Sequence, residues 1–406
     1  MARWLGAHDY GLYTYAWVVV NVAGTLATIG LSMAAVRFLN EYLEHNRPDL
    51  ARGFLRFGRL TVFLVGLSAA LVGIGVLYLF PEVMEEAYRA PLMIALLALP
   101  AFAVTDFQDG AGRARSWLGL ALVPPYILRP LLILLFVGAG IVLLDICNAV
   151  LAAAALVAAT WLTAAVQFIL QHRRFSEELK GAAARARRME WLKVALPLLL
   201  LDSFTLLMMN IDVLLLKFFV RPEDIAVYFA AARVISFVAF VHFAVTAVAM
   251  PRFATAYARR DIAAARALLR RFRLWTFMPS LAAAGFLLAI GPFVLSLFGK
   301  EFPAAWGIMA VLAAGHLARA VAGPAEAMLA VSGKQVYSAV ITGVTAALNV
   351  VLNIVLIARY GLMGAALATT LAYLFQSVIL WLATNRLARD GYGDARQGEA
   401  HAGAGG

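Results

Sequence analysis

The sequence predicts an all-α, polytopic membrane protein, and three observations carry that prediction. Of its 406 residues, 63% are hydrophobic and only 14% charged, with a mean hydropathy of +0.84, far too little polar surface for a water-soluble globule. The apolar residues gather into about eleven stretches of membrane-spanning length. The basic residues gather in alternate loops.

The spans read, in order, as 12–34, 60–80, 91–107, 119–143, 148–170, 194–219 and 225–250, then 275–298, 304–331, 336–357 and 362–382. Each is expected to be a helix, because lipid offers no partner for backbone N–H and C=O groups and the segment must satisfy its own. Pro124, Pro125 and Pro130 should break or kink the fourth span, since each removes a backbone donor. Gly323 and Pro324 place a joint in the ninth.

Loops assigned alternately to two sides hold very different numbers of Lys and Arg. Of 34, one side carries 25, in the 37–59, 173–193 and 252–273 loops, the Arg113/Arg115 turn, Lys334 and the tail. The other side carries five: Arg3, Arg89, Arg221, Lys300 and Arg359. The basic side is therefore expected to be cytoplasmic, with the C-terminus on it. This topology, rather than nucleic-acid binding, accounts for the net charge of +11. The basic loops also suit contact with anionic membrane lipids. A single cysteine, Cys147, excludes a disulfide framework and a Cys-based metal site within the chain. Six scattered His with no HExxH, GxSxG or P-loop pattern argue against an enzyme, a cofactor or a metal centre.

An internal repeat organises the chain. A shift of 215 positions pairs Asp9 with Asp224, Tyr13 with Tyr228, Arg37 with Arg252, Phe38 with Phe253 and Tyr42 with Tyr257. After small gaps, Arg59-Leu60 pairs with Arg273-Leu274 and Gly112-Arg113 with Gly333-Lys334. The helix from Val194 then has no first-half counterpart, which suggests a twelve-helix plan whose first helix is missing here. Six helices per half make the two lobes parallel, related by an axis along the membrane normal. The expected domains are 1–180 (N-terminal lobe, five helices), 181–388 (C-terminal lobe, six helices) and 389–406 (a disordered cytoplasmic tail, rich in Gly and Ala).

The opening RWLGAHDYGLYTYA (3–16) resembles the ARxLGPxxYGxY stretch that follows the first helix in bacterial polysaccharide flippases of the O-antigen exporter type. Those belong to the multidrug/oligosaccharidyl-lipid/polysaccharide exporter superfamily. LPLLLLDSFTLLMMNIDVLLLKFF (196–219) with PEDIAVYFAAARVISF (222–237) resembles the seventh and eighth helices of that family, and RYGLMGAALATTLAY (359–373) its closing helix junction. The absent first helix and His8, where the family often has Pro, are departures. The resemblance implies two lobes around a central cationic cavity. It also implies alternating-access transfer of an undecaprenyl-diphosphate-linked oligosaccharide across the bacterial inner membrane, for O-antigen or exopolysaccharide synthesis. Partners would be the lipid-linked oligosaccharide and a polysaccharide polymerase with its export machinery. Rival readings are a multidrug or cation antiporter of the same fold, a membrane glycan polymerase, and a non-transporting scaffold.

Four cations fall within spans: Arg129, Lys217, Arg233 and Arg319. An ionisable group at mid-bilayer costs roughly 2.5–3.5 kcal/mol and usually faces a partner or a wet cavity. Arg233, about eight residues or roughly 12 Å into its helix, is a candidate to bind an anionic head group or to form an ion pair. Arg129, inside PPYILRP, can bind phosphate bidentately or satisfy the broken backbone. His316, Arg319 and Glu326 share one helical face and suit substrate or proton handling, or a structural network; Arg319 and Glu326 can pair only if the helix breaks at Pro324. Asp212 is a candidate counter-ion for Arg233, or a cation site. Arg37 and Arg252 occupy matching helix ends and would anchor the interface or attract diphosphate at the cavity mouth. Lys217 is expected to snorkel, Asp106 and Asp109 to pair locally near Arg113, and His242, nine residues after Arg233, has no assigned role.

Overall fold

The computed structural model describes residues 1–259 and 261–390, and every regular element among them is helical. By length and composition, eight helices, or up to ten if each of two bent pairs is one span, can cross a membrane. One of the eight, Gln335–Leu387, contains the last two expected spans. They meet at Gly361, whose φ of 54° and ψ of −131° are not helical.

The chain divides into two compact units. The first comprises Met1–Lys217 with Arg221–Ala226; the second comprises Phe218–Val220 and Val227 onward. In the first unit, α1 (Ala2–Ala27) and α2 (Leu31–Glu44) are bent by 41° to one another. The bend follows from Ile29 and Gly30, at φ 46° and 76°. Next come α3 (Pro48–Leu79) and the pair α4 (Glu86–Leu96) and α5 (Leu99–Ala114), bent by 51°. α6 (Leu118–Val123) and α7 (Arg129–Leu144) are joined by a π turn over Pro124–Leu128, as the three prolines require. α8 (Ala149–Glu178) is capped at its N-terminus by the Asn148 side chain, which accepts from the Leu151 N–H, while Asp9 accepts from the Ala149 N–H.

By compactness, α9 (Arg188–Leu216) groups with the first unit. Its Trp191 is fully buried in the core of α2 and α3, where its indole N–H donates to the Tyr42 hydroxyl at 2.8 Å and its ring meets Phe54 edge-on at 5.3 Å. Gly30 lies so close to the Ala195 carbonyl that a β-carbon there would collide with it. The linker before α9 is held as well: Arg52 donates to the Ala182 carbonyl and the Arg185 N–H to the Asp49 carbonyl. A fully buried tryptophan with its donor satisfied anchors the start of α9 against α2 and α3.

The second unit contains α10 (Pro222–Ile235, from Val227 on), α11 (Ala239–Ala258), α12 (Ile262–Ser296), α13 (Trp306–Ala322), α14 (Ala325–Val331) and α15 (Gln335–Asp390). A 3-10 turn, Ser236–Val238, separates α10 from α11. α13 stops at Gly323, with φ 63° and ψ −153°, so the joint expected at Gly323-Pro324 is present. Arg273 secures it. The guanidinium donates to the Ala322 carbonyl at 3.4 Å, to Asn385 Oδ1 at 2.9 Å and to Thr384 Oγ1 at 2.8 Å. α15 runs through Asp390, so the first two residues of the expected disordered tail are helical, and 391–406 lie outside the described residues.

Candidate functional site

In the first unit the site is built around Arg129. It is the first residue of α7, directly after the π turn, and is 6% exposed. Its guanidinium lies over two aromatic faces, Phe102 at 4.7 Å and Trp17 at 5.0 Å from the ring centroids. It forms no ion pair among the described residues, and its buried Nε has no hydrogen-bond partner. Cation–π contacts of roughly 0.5–2 kcal/mol each help offset an insertion cost of about 2.5–3.5 kcal/mol, yet leave the positive charge uncompensated. The side chain borders a cavity of about 220 Å³, whose other polar walls are Asn21, Thr25, Thr105, Asp106, Asp109 and Tyr126.

The acids of this cavity differ. Asp109 pairs with Arg113 at 3.0 Å, the local pair the sequence suggests. Asp106 makes no ion pair among the described residues and lines the same cavity as Arg129, so its assignment to a local pair is corrected. A buried cation and a separate carboxylate thus face one polar space. That arrangement can bind an anion at one end and a hydroxyl, cation or proton at the other.

In the second unit the break at Gly323 brings Arg319 Nη2 to 3.9 Å from Glu326 Oε2, across a gap that a continuous helix would not close. Gln376 reaches Glu326 Oε1 and Thr342 Oγ1, both at 3.4 Å. Arg319 lies 5.7 Å from the Tyr373 ring centroid, and the His316 ring lies 5.6 Å from the same ring. His316 and Arg319 share the lining of a small void with His242 and Ser280. His242, given no role from sequence, therefore stands beside the residues singled out there.

The remaining candidates are dispersed. Arg233 is exposed and lies over the Phe229 ring at 4.7 Å. Asp212 is buried in α9, its Oδ1 accepting from the Val213 N–H. Lys217 is 6% exposed, 5.7 Å from the Tyr88 ring centroid. Arg37 is exposed, 4.0 Å from Glu41 on the next helical turn, and Arg252 is exposed 6.0 Å from the Phe272 ring centroid. The aromatic and polar partners of Arg129, from Trp17 to Tyr126, carry no motif of their own. Only the 106/109/113 spacing on one face of α5 pointed towards them.

A set of apolar helices broken at prolines and glycines, with buried charges beside polar cavities, defines a multi-pass membrane protein of transporter architecture. Residues 1–256 match the family model of polysaccharide biosynthesis proteins, and the chain belongs to that family. No curated protein matches the sequence. Among solved structures, it is similar to an inward-facing multidrug resistance MATE family transporter of the MOP superfamily. The identity is 16% and the TM-score 0.80, over 95% of this chain and 92% of that one. The outward-facing conformation of such a transporter matches at 16% identity and TM-score 0.65, covering 95% and 90%. A MOP superfamily transporter from Pyrococcus furiosus Vc1, described as having a binding pocket of reverse polarity that suggests a different function, matches at 15% identity and TM-score 0.66, covering 95% and 90%. At these identities the likeness is one of fold.

Proposed function

We propose that the chain is a flippase that carries an undecaprenyl-diphosphate-linked oligosaccharide across the bacterial inner membrane by alternating access, for O-antigen or exopolysaccharide synthesis, with no covalent chemistry of its own. The observation that carries the reading is Arg129: a buried intramembrane guanidinium with no ion pair among the described residues, beside a polar cavity in a chain of the polysaccharide biosynthesis family. A diphosphate supplies the missing acceptors bidentately. Asn21, Thr25, Tyr126 and Asp106 offer the amide, hydroxyl and carboxylate groups that sugar hydroxyls accept from or donate to.

In this reading Arg233 and Arg319 are further cations on the path, Arg37 and Arg252 attract the diphosphate at the cavity mouth, and Asp212, Glu326 and His316 couple the cycle to an ion. The C-terminus lies on the cytoplasmic side, by the uneven loop charge. A polymerase and export machinery receive the translocated unit. One observation favours a second reading: Asp106 brings an unpaired carboxylate to the same cavity, as a cation antiporter would need.

The test is lipid extraction from a deletion strain, scoring the undecaprenyl-linked oligosaccharide and its leaflet. Accumulation in the cytoplasmic leaflet, relieved by the intact gene but poorly by Arg129→Ala or Arg233→Ala, supports the flippase. No accumulation moves the reading to the cation antiporter. A translocated but unpolymerised unit moves it to the polymerase.

A further inference from the structure

A second cationic feature lies on the first unit, away from the Arg129 cavity. α3, α5 and α8 enclose a groove of about 660 Å³ whose wall is almost wholly apolar, including Leu60, Phe63, Trp161 and Phe168. Leu60 is 60% exposed and Phe168 39% exposed, so the groove opens outward. Three basic side chains, Arg56, Arg59 and His172, stand together at one end of it. That end adjoins the two basic loops that flank α3 and α8.

Arg59 is the informative residue. Its guanidinium lies 4.8 Å from the Phe168 ring centroid, and that ring stacks on His172 at 5.4 Å and 4°. Its Nε and Nη2 are buried, yet neither has a hydrogen-bond partner, and Arg59 forms no ion pair among the described residues. Its partner in the internal repeat, Arg273, makes three hydrogen bonds to protein groups in the second unit. The same position thus makes three hydrogen bonds to protein in one half, and in the other has a ring contact but no described partner at Nε or Nη2. Two buried nitrogens of a cation, without a described partner at the head of an apolar trough, suit an acceptor from outside the chain.

We infer that this groove is a binding site for an anionic phospholipid of the adjoining leaflet, with the phosphate on Arg59, Arg56 and His172 and an acyl chain along Phe168, Phe63 and Trp161. The dimensions fit. From His172 to Trp161 is eleven residues of α8, about 16 Å at ~1.5 Å per residue, which matches half of a hydrocarbon core ~30 Å thick. An acyl chain of a single leaflet fills that length. The site does not depend on what the protein transports.

The test uses the purified full chain in mixed micelles, with phosphatidylglycerol bearing a photoactivatable group on its acyl chain, followed by peptide mapping. Labelling of α3 and α8 peptides around Phe63 and Phe168 is expected, at least about fivefold above phosphatidylcholine with the same chain. Arg59→Ala should reduce labelling about fivefold, equivalent to ~1 kcal/mol for one basic residue at a head group, while Arg59→Lys retains most of it. Both variants are first checked for unchanged gel-filtration profile and unfolding midpoint, and Arg56→Ala replaces Arg59→Ala if the latter misfolds. Equal labelling by the two lipids, or labelling indifferent to both arginine substitutions, would overturn the inference. So would displacement of the probe by undecaprenyl phosphate but not by unlabelled phosphatidylglycerol, which would make the groove a substrate site.

Discussion

Removal of the Trp191 side chain tests where α9 belongs. The indole is fully buried, packs against Phe54 at 5.3 Å and Phe57 at 5.4 Å, and donates to the Tyr42 hydroxyl at 2.8 Å. Truncation of a buried aromatic residue to Ala costs about 3–5 kcal/mol. Loss of the Tyr42 hydroxyl alone strands a buried N–H and costs about 1–3 kcal/mol. Trp191→Ala should therefore lower unfolding free energy by about 3–5 kcal/mol, and Tyr42→Phe by a smaller amount. The double variant should equal Trp191→Ala to within about 0.5 kcal/mol, because the hydroxyl has no donor left to serve. The assay is reversible unfolding in dodecyl maltoside titrated with SDS, followed by circular dichroism. Additive single effects, or a Trp191→Ala loss below about 1 kcal/mol, would refute the packing of α9 into the first unit's core.

Gly323→Ala should destabilise by about 1–3 kcal/mol from backbone strain alone, because its φ of 63° and ψ of −153° suit only glycine. Contact with Arg273, whose Cγ and Cα stand 2.8 and 3.0 Å from the added carbon, adds to that in the same titration. Arg273→Gln removes three hydrogen bonds and should cost about 2–3 kcal/mol, whereas Arg59→Gln in lipid-free detergent should cost at most about 1 kcal/mol, the loss of one cation–π contact with Phe168. Glu326→Gln should change stability by less than about 1 kcal/mol, because the 3.9 Å pair with Arg319 is long and partly exposed. A larger effect would assign the pair a structural rather than a transport role.

The helices and two of their breaks were legible because they rest on local chemistry. Apolar length marks a span, Pro124, Pro125 and Pro130 mark the π turn, and Gly323-Pro324 marks the joint that lets Arg319 reach Glu326. Arg129 stood out because an intramembrane guanidinium is rare. Its surroundings did not stand out: Trp17, Phe102 and Tyr126 are ordinary aromatic residues in apolar sequence, and tertiary packing alone makes them a pocket. Asp106 was assigned by local spacing, and His242 was given no role. Asp106 borders a cavity with Arg129 of α7, and His242 lines a void with His316 and Arg319, neighbours that only tertiary packing supplies. The placement of α9 rests on Trp191 meeting Tyr42, 149 residues apart, a contact that no repeat offset encodes.

The central claim is that the unpaired charge of Arg129 receives an anionic lipid-linked glycan. Its most direct test is transport by the purified chain in proteoliposomes, read as the fraction of undecaprenyl-diphosphate-linked oligosaccharide that becomes accessible to an impermeant glycosidase. The wild-type chain should translocate it, Arg129→Ala should be slower by about tenfold or more, as for the loss of a charged hydrogen bond of ~1.5–3 kcal/mol, and Arg129→Lys should fall between. An undiminished rate in Arg129→Ala, or transport of a cationic dye with no movement of the lipid, would contradict it.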